Sequence, residues 1–267
     1  AKRDRTMASR ILASADAAVL QLAGTEDRIW MSEPVRQRLQ RARSLVSEAR
    51  AFLDASEFEE ATVRALAAKA EAEDVGASLH AATSRFADDE EIRTWRSWVA
   101  ETVEWSRRTG NTAVVVDKDA HRLFVYQQGR VVREYDAEIG WANVHDKRHQ
   151  GDGATPEGRY KVTDKKSRDR SRYYKALLLD YPTREDIDEL EALKADGAVP
   201  RSTRAGGLIE IHGEGGRGKD WTDGCVAITN DQIDWLFARA GVGTPVTIVG
   251  SFAGEGWFSD VARRLQR

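Results

Sequence analysis

The stretch Leu208–Asn230, LIEIHGEGGRGKDWTDGCVAITN, joins an apolar strand pattern to a glycine-rich loop that ends in the only cysteine of the chain. Its centre, GEGGRGK, matches G-x-G-x-x-G and also a phosphate-binding G-x-x-x-x-G-K in which Asp220 replaces the final Ser or Thr. Both motifs require a helix that begins at their last residues, because the phosphate binds at a helix N-terminus. After Lys219 come β-branched residues and another glycine, and the first convincing helix is capped by Thr229 or Asn230. We therefore do not predict a nucleotide site here.

The same stretch contains the two residue types of a cysteine nucleophile. His212 ends the apolar strand, and Cys225 follows a flexible loop that can bring the thiol back to the imidazole. A neighbouring histidine activates a thiol by taking its proton. Gly224 lets the backbone turn freely, so that the N–H groups of Gly224 and Cys225 can face an oxyanion. From the pattern alone, an inert buried cysteine beside a satisfied histidine is an equal alternative.

The composition excludes several classes of protein. The 267 residues are 41% hydrophobic and 32% charged, which is enough to build a core and keeps the surface polar. A net charge of −3 gives no reason to expect nucleic acid as a partner. No run of residues is apolar enough for a membrane helix, and we expect no signal peptide at AKRDRT. A single cysteine excludes an internal disulfide.

The composition and the spacing of apolar residues differ between residues 1–110 and residues 111–267. The first part holds 3 of the 21 glycines and repeats apolar residues at helical spacing, which predicts an antiparallel bundle of three or four helices. Ser56 with Glu59, and Asp88 with Glu91, predict the starts of two of these helices. We interpret 1–110 as a helical domain for positioning or for binding a protein partner.

Strand and turn patterns dominate the second part. TAVVVDKDAHRLFVYQQGRVVREYDAEIG predicts three strands, and WANVHDKRHQGDGATPEGRYKV predicts a loop. Further strands are predicted at KALLLDYP, GGLIEIHG and GTPVTIVG, a surface helix at PTREDIDELEALKADG, and the main helix at DQIDWLFARAG, ended by Gly241. The predicted fold class is α+β, with a mostly β catalytic domain over 111–250 and a tail over 251–267.

Two histidines raise the question of a metal site. His145 and His149 lie four residues apart, which suits zinc when both are on one helix. Their segment has little helical pattern and no third ligand nearby, so we interpret them as loop residues and predict no metal.

The pieces GDGATPEGRY, IEIHG, DWTDGCVAI and GTPVTIV follow one another between residues 112 and 250. In this order they resemble the catalytic domain of L,D-transpeptidases, bacterial cell-wall enzymes with a β-rich fold and a Cys–His pair. The resemblance implies that Cys225 is the nucleophile, that His212 is its base, and that Gly224 shapes the backbone around the oxyanion. It also implies a protein of the periplasm or cell envelope that acts on peptidoglycan stem peptides without a cofactor.

The segment around Cys225 departs from the common family pattern. Ser/Thr-His-Gly-Cys is replaced by Thr222-Asp223-Gly224-Cys225, and Ala227 stands where the family has an arginine. The DWT-x-GC form resembles a divergent subgroup that includes cross-linking and cleaving members. Asp223 near a thiolate would raise the thiol pKa, so we expect its carboxylate to point away or to pair with Lys219 or Arg217. The candidate substrate contacts are Trp221, Thr222, Asp223, Gly213, Lys147, Asp152 and Thr155.

Three functions remain open at this point. The first is an L,D-transpeptidase that transfers a stem peptide from its acyl-enzyme to an amine. The second is a carboxypeptidase or amidase that uses the same site to hydrolyse stem peptides or to release attached protein. The third is a cell-wall-binding scaffold without catalysis, led by the helical domain.

Overall fold

A computed structural model describes residues 2–266 of the chain. Residues 1 and 267, the outer ends of the predicted helical domain and tail, lie outside the described residues. The described chain forms two compact units, one running up to Ser84 and resuming at Ser259, the other comprising Arg85–Phe258. None of the helices in residues 2–266 has the length and apolar character that crossing a membrane requires.

Three long helices make up most of the first unit, which also includes residues 259–266. They are α1 (Lys2–Gln21), α2 (Glu33–Asp54) and α3 (Phe58–Thr83). Helices α2 and α3 run antiparallel, as two ion pairs on their surfaces show: Arg41 lies 3.1 Å from Glu71, and Arg64 lies 3.3 Å from Glu48.

Alanines line the core of this bundle. Ala15, Ala49, Ala65 and Ala68 are fully buried between the helices, where their small side chains allow close packing. The predicted antiparallel bundle is therefore confirmed for these three helices.

The two predicted helix starts have different outcomes. Asp88 caps α4 (Asp89–Thr109), and its carboxylate accepts hydrogen bonds from the N–H groups of Glu90 and Glu91. The box predicted at Ser56 is wrong, because Ser56 has a φ of +66° and the residue before α3 is Glu57, which makes no side-chain cap. Ser56 thus closes the α2–α3 turn instead of starting the helix.

Helix α4 belongs to the second unit, although its sequence pattern placed it with the helical residues 1–110. Its buried face carries Ile92, Trp95, Val99 and Thr102, the row expected from the sequence. This face packs on the sheet, and the hydroxyl groups of Thr102 and Thr247 lie 2.6 Å apart. An apolar helical stripe shows that a helix is buried but does not specify its partner.

The second unit is built on one eight-stranded sheet. Its strands are β1 (Ala113–Asp117), β2 (Arg122–Gln127), β3 (Arg130–Asp136), β4 (Gly158–Lys166), β5 (Ala176–Leu179), β6 (Glu210–His212), β7 (Val226–Ala227) and β8 (Pro245–Val249). They lie in the order β3-β2-β1-β8-β4-β5-β6-β7. The pairs β1–β8 and β6–β7 are parallel and the other pairs are antiparallel.

Three further helices complete the chain: α5 (Arg184–Ala195), α6 (Asn230–Phe237) and α7 (Trp257–Leu265). Helix α6 follows the cysteine segment as predicted, but it ends at Phe237, before Gly241. A larger difference is β4, whose residues 158–166 extend out of the segment that we predicted as a loop. Its charged residues alternate with Tyr160 and Val162, which are buried. With a helical N-terminal region followed by a mostly β domain, the predicted α+β fold is confirmed.

Candidate active site

The register of two short parallel strands places the thiol and the imidazole on one face of the sheet. Ile211 lies opposite Val226, and His212 lies opposite Ala227. Because side chains alternate between faces along a strand, Cys225 shares the face of Ala227 and His212. Cys225 therefore lies diagonally across from His212.

Three contacts fix His212 in one orientation. Its side chain is fully buried, and Nδ1 lies 2.6 Å from the carbonyl oxygen of Gly213. A carbonyl only accepts hydrogen bonds, so Nδ1 carries the proton and Nε2 carries the lone pair. Tyr173 stacks on the ring at 4.4 Å between centroids, and Trp221 meets it edge-on at 5.8 Å. Nε2 has no hydrogen-bond partner within residues 2–266, as expected of a base that awaits a proton.

Both members of the pair are uncharged in this state. Burial lowers the pKa of His212 below its ordinary value, so the imidazole is neutral at pH 7. Burial raises the pKa of the Cys225 thiol to about 11, although a hydrogen bond from the backbone of Glu210 works in the opposite direction. The thiol itself lies 3.5 Å from the carbonyl oxygen of Leu208. Activation therefore requires transfer of the thiol proton to His212.

Two hydroxyl groups hold the backbone of the nucleophile. Thr222 Oγ1 donates to the carbonyl of Cys225 over 2.7 Å and accepts the N–H of Gly224 over 3.2 Å. Thr155 Oγ1 lies 3.4 Å from the same carbonyl and accepts the N–H of Gly140 over 2.8 Å. Both threonines are buried, so they position the cysteine backbone.

Gly224 is required by the backbone at this point. Its φ is +126°, which side chains rarely allow, and a Cβ atom would lie only 2.6 Å from the carbonyl oxygen of Ala154. Its N–H is bonded to Thr222 in this state, and its role as an oxyanion donor stays a prediction.

Trp221 forms one wall beside the imidazole. Its indole N–H donates to Glu138 Oε2 over 2.7 Å, and the other oxygen of Glu138 accepts the N–H of Gly218 over 2.6 Å. Arg217 lies over the indole, 3.4 Å from the ring centroid. The glycine-rich loop is thus attached to the site through one carboxylate and one aromatic ring.

Asp220 is a buried carboxylate that fixes the start of the cysteine segment. It accepts three hydrogen bonds of 2.7–2.9 Å, from Asn143, His121 and the backbone N–H of Ile139. Burial by itself would raise the pKa of Asp220, but the hydrogen bond and charge of His121 hold it below the ordinary value. Asp220, which broke the phosphate motif in the sequence, therefore has a structural role in the site loop.

Lys147 and Asp152 pair with each other. Lys147 Nζ lies 2.8 Å from Asp152, and the side chain of Lys147 is 3% exposed. Asp152 also accepts the backbone N–H groups of Arg148, His149 and Ala154. These contacts shape the loop, and direct substrate contact by either residue stays a prediction.

Asp223 lies exposed at the rim of the site. Its carboxylate accepts a hydrogen bond from the indole N–H of Trp141 over 3.3 Å. We expected it to point away from the thiol or to pair with Lys219 or Arg217, and this donor is neither of those two cations. Asp223 still contributes to the raised pKa of Cys225.

The remaining sequence candidates contribute differently. Gly213 supplies the carbonyl that orients the imidazole, and its role toward a substrate stays a prediction. His145 and His149 lie in a segment, 141–157, that contains no helix. Within residues 2–266, no three His, Cys, Asp or Glu side chains converge into a metal site.

Sequence reasoning missed Tyr173, Glu138 and the carbonyl of Leu208. All three reach the site from separate segments, and none carries a local motif. Tyr173 stands in SRYYKALLL, where it resembles the start of an ordinary strand. Only the register of β5 and β6, which pairs Ala176 with His212, indicates that Tyr173 lies near the imidazole.

Comparison with known proteins connects this geometry to a family. The family model described as "YkuD: L,D-transpeptidase catalytic domain" matches residues 111–248. No curated protein matched the chain significantly.

Several solved structures are similar to this chain. Bd1075 of Bdellovibrio bacteriovorus is 24% identical, with 59% of this chain and 54% of that chain covered and a TM-score of 0.40. An L,D-transpeptidase from Mycobacterium smegmatis is 19% identical, with 52% and 58% covered and a TM-score of 0.33. L,D-transpeptidase 1 of Mycobacterium tuberculosis is 17% identical, with 52% and 62% covered and a TM-score of 0.32. The match thus spans less than two thirds of each of these chains.

The family match includes the strands β1 to β8 almost completely, and it contains both His212 and Cys225. It covers more than half of the 267 residues. The chain belongs to the YkuD family of L,D-transpeptidase catalytic domains.

Proposed function

We propose that this protein is a peptidoglycan-active cysteine acyltransferase, an L,D-transpeptidase of the cell envelope. Its donor is a stem peptide, and its acceptor is an amine. The observation that supports this most directly is the neutral Cys225–His212 pair on one sheet face, with Nε2 of His212 unpartnered within residues 2–266.

The proposed reaction has two halves. In the first, His212 Nε2 takes the thiol proton while Cys225 Sγ attacks the carbonyl carbon of an amide between an L-centre and a D-residue. The tetrahedral intermediate collapses as the imidazolium returns this proton to the departing amine, which leaves a thioester on Cys225. In the second half, His212 takes a proton from the acceptor amine, the amine attacks the thioester, and the thiol is regenerated.

Two features of the site fit this sequence. Neutral His212 is the form that accepts a proton, and its lowered pKa keeps it in that form at pH 7. The backbone around Cys225 is held by Thr222 and Thr155, so that the nucleophile keeps its position during attack. Gly224 and Cys225 remain the proposed oxyanion donors, which requires the N–H of Gly224 to leave Thr222.

The test is the turnover of tetrapeptide-bearing muropeptides by three proteins: the unchanged chain, Cys225→Ala and His212→Gln. We expect each variant to lose at least about 10³-fold in rate, because removing one member of such a pair disables it. Thermal unfolding should show that Cys225→Ala remains folded. Product formation by Cys225→Ala at the unchanged rate would contradict the proposal.

Hydrolysis is the alternative outcome at the same site. Water replaces the acceptor amine in the second half, and the protein is then a carboxypeptidase or amidase. Mass spectrometry of digested muropeptides separates the two, because transfer yields cross-linked dimers whereas hydrolysis yields only shortened monomers. If a carbapenem forms no adduct with Cys225 but the full-length chain binds purified sacculi, the scaffold function replaces both.

A further inference from the structure

An ion pair lies next to the thiol on the same face of the sheet. Extending the β6–β7 register by one residue from the Ile211–Val226 pair places Glu210 directly opposite Cys225. Neighbouring strands are about 5 Å apart, so a carboxylate side chain on this face starts close to the sulfur. Glu210 is 7% exposed.

The partner of Glu210 comes from two strands away. Lys166 on β4 pairs with Ala176 on β5, and Ala176 pairs with His212 on β6. These three residues form one row across the sheet, on the face that carries the thiol. Lys166 extends across this row, and its Nζ forms an ion pair with Glu210 Oε1. Both side chains are largely buried, at 21% and 9% exposed.

An unpaired carboxylate in this place would oppose the formation of the Cys225 thiolate. A negative charge close to a thiol disfavours the thiolate that must attack the substrate. The pKa of Cys225, raised mainly by burial, is raised further by the charge of Glu210. A buried carboxylate without a partner is also costly for the fold.

We propose that Lys166 is a positioning residue for the proposed acyl transfer, which holds and neutralises Glu210 so that Cys225 can lose its proton to His212. The inference rests on the proposed function for its purpose, but its test reads the thiol directly. Lys166 does not touch the substrate in this proposal; it acts through Glu210.

The other charges around the pair are few and lie on different segments. Asp223 on the cysteine loop raises the pKa of Cys225, and Lys147 from the loop after β3 lowers it. The charges of Glu210 and of Glu214 raise the pKa of His212, whereas Arg217 on the glycine-rich loop lowers it. Only Glu210 combines burial, a position opposite the thiol and a dedicated cation.

The experiment is the rate of alkylation of Cys225 by iodoacetamide as a function of pH. Cys225 is the only cysteine, so the unchanged full-length chain reports this thiol alone. We expect Lys166→Met to move the profile upward by at least about one pH unit, and to slow alkylation at pH 7 about tenfold. Glu210→Gln should speed alkylation, and Lys166→Met combined with Glu210→Gln should return the rate to within about threefold of the unchanged chain.

Lys165→Met is the matched control. Lys165 lies beside Lys166 on β4 but on the opposite face, with its Nζ 4.4 Å from the ring centroid of Phe237. It should leave the alkylation profile unchanged, although its effect on thermal stability can be as large. Equal profiles for Lys166→Met and Lys165→Met would overturn the proposal, as would a double variant as slow as Lys166→Met alone.

Failure of the proposed function is visible separately. A chain that turns over no muropeptide, yet shows the expected shift for Lys166→Met, would contradict the acyltransferase and leave the role of Lys166 intact. If Lys166→Met does not fold, Glu210→Gln still decides the matter, because a rate equal to or below that of the unchanged chain contradicts the proposal.

Discussion

The two compact units bury polar groups in opposite ways. Within the described residues, the buried polar side chains of the helical unit are three hydroxyl groups, on Thr25, Thr83 and Ser259. Those of Thr25 and Thr83 bond to backbone carbonyls of their own segments. Ion pairs in this unit, such as Arg50 with Asp16, lie on the surface.

The sheet unit buries full charges. Lys118 has no exposed side-chain surface, and it donates to the carbonyls of His145 and Thr155 and to the carboxylate of Glu157. Glu138 and Glu210 are also buried, and each is engaged by donors described above. Removing charges from water is expensive, so these buried charges must keep their partners in place, and many of those partners lie in loops. These loops carry the candidate site.

Replacing Lys118 should have the largest effect on stability, and it tests the difference between the buried charges of the sheet unit and the surface ion pairs of the helical unit. Lys118→Met leaves two carbonyls without their donor and Glu157 without one of its two cations, because Arg85 alone would remain. We expect the free energy of unfolding of the sheet unit to fall by about 3–5 kcal/mol. Urea titration followed by tryptophan fluorescence measures it, since all tryptophans except Trp30 lie in this unit.

The matched change in the helical unit is Arg50→Met. It breaks an exposed ion pair with Asp16, and we expect a loss below about 1 kcal/mol, read by circular dichroism of the helices. Similar losses for Lys118→Met and Arg50→Met would break the contrast between the units.

A change at Asp220 should have the next largest effect. Asp220→Asn keeps the shape but turns one of two accepting oxygens into a donor, against three donors that face the carboxylate. We expect a loss of about 1–3 kcal/mol in stability. Displacement of the cysteine segment should lower muropeptide turnover between about 10- and 100-fold. Turnover equal to that of the unchanged chain would show that this carboxylate does not position the site.

Asp223→Asn tests an exposed carboxylate of the same loop, for comparison with the buried Asp220. Asp223 contributes to the raised pKa of Cys225, so removing its charge should speed alkylation of the thiol at pH 7. Because Asp223 is exposed, solvent weakens its influence, and we expect no more than about a fivefold change. Stability should stay within about 0.5 kcal/mol of the unchanged chain. A slower thiol in Asp223→Asn would contradict this assignment.

The sequence predicted most of the fold because its patterns are local. Helical spacing found α2 and α3, and runs of β-branched and aromatic residues between turns found β1, β2 and β3. Strand β4 was missed because GRYKVTDKK is largely charged, and its buried residues are visible only when β8 and β5 lie beside it. The packing of α4 on the sheet was missed for the same reason, since it depends on a partner distant in sequence.

The residues of the candidate site also divide into those that a local motif predicts and those that only the folded sheet brings together. Cys225 and His212 were predicted from residues that stand next to them in the chain. The contacts of Tyr173, Glu138 and Lys166 depend on strand order and register, which no short motif carries. In the sequence, Asp220 stands out only because it replaces the final Ser or Thr of the phosphate-binding motif. Its three hydrogen bonds are visible only in the folded chain.

The packing of His212 between Tyr173 and Trp221 restricts the kinetics of the proposed reaction. The imidazole ring cannot flip without displacing both aromatic neighbours, and its Nδ1–H donates a hydrogen bond to the carbonyl of Gly213. One nitrogen, Nε2, must therefore serve the thiol, the departing amine and the arriving amine in turn. Departing and arriving groups then occupy one position and exclude each other, which is a ping-pong scheme. In such a scheme the released D-amino acid competes with the acceptor for the acyl-enzyme, so turnover slows as product accumulates.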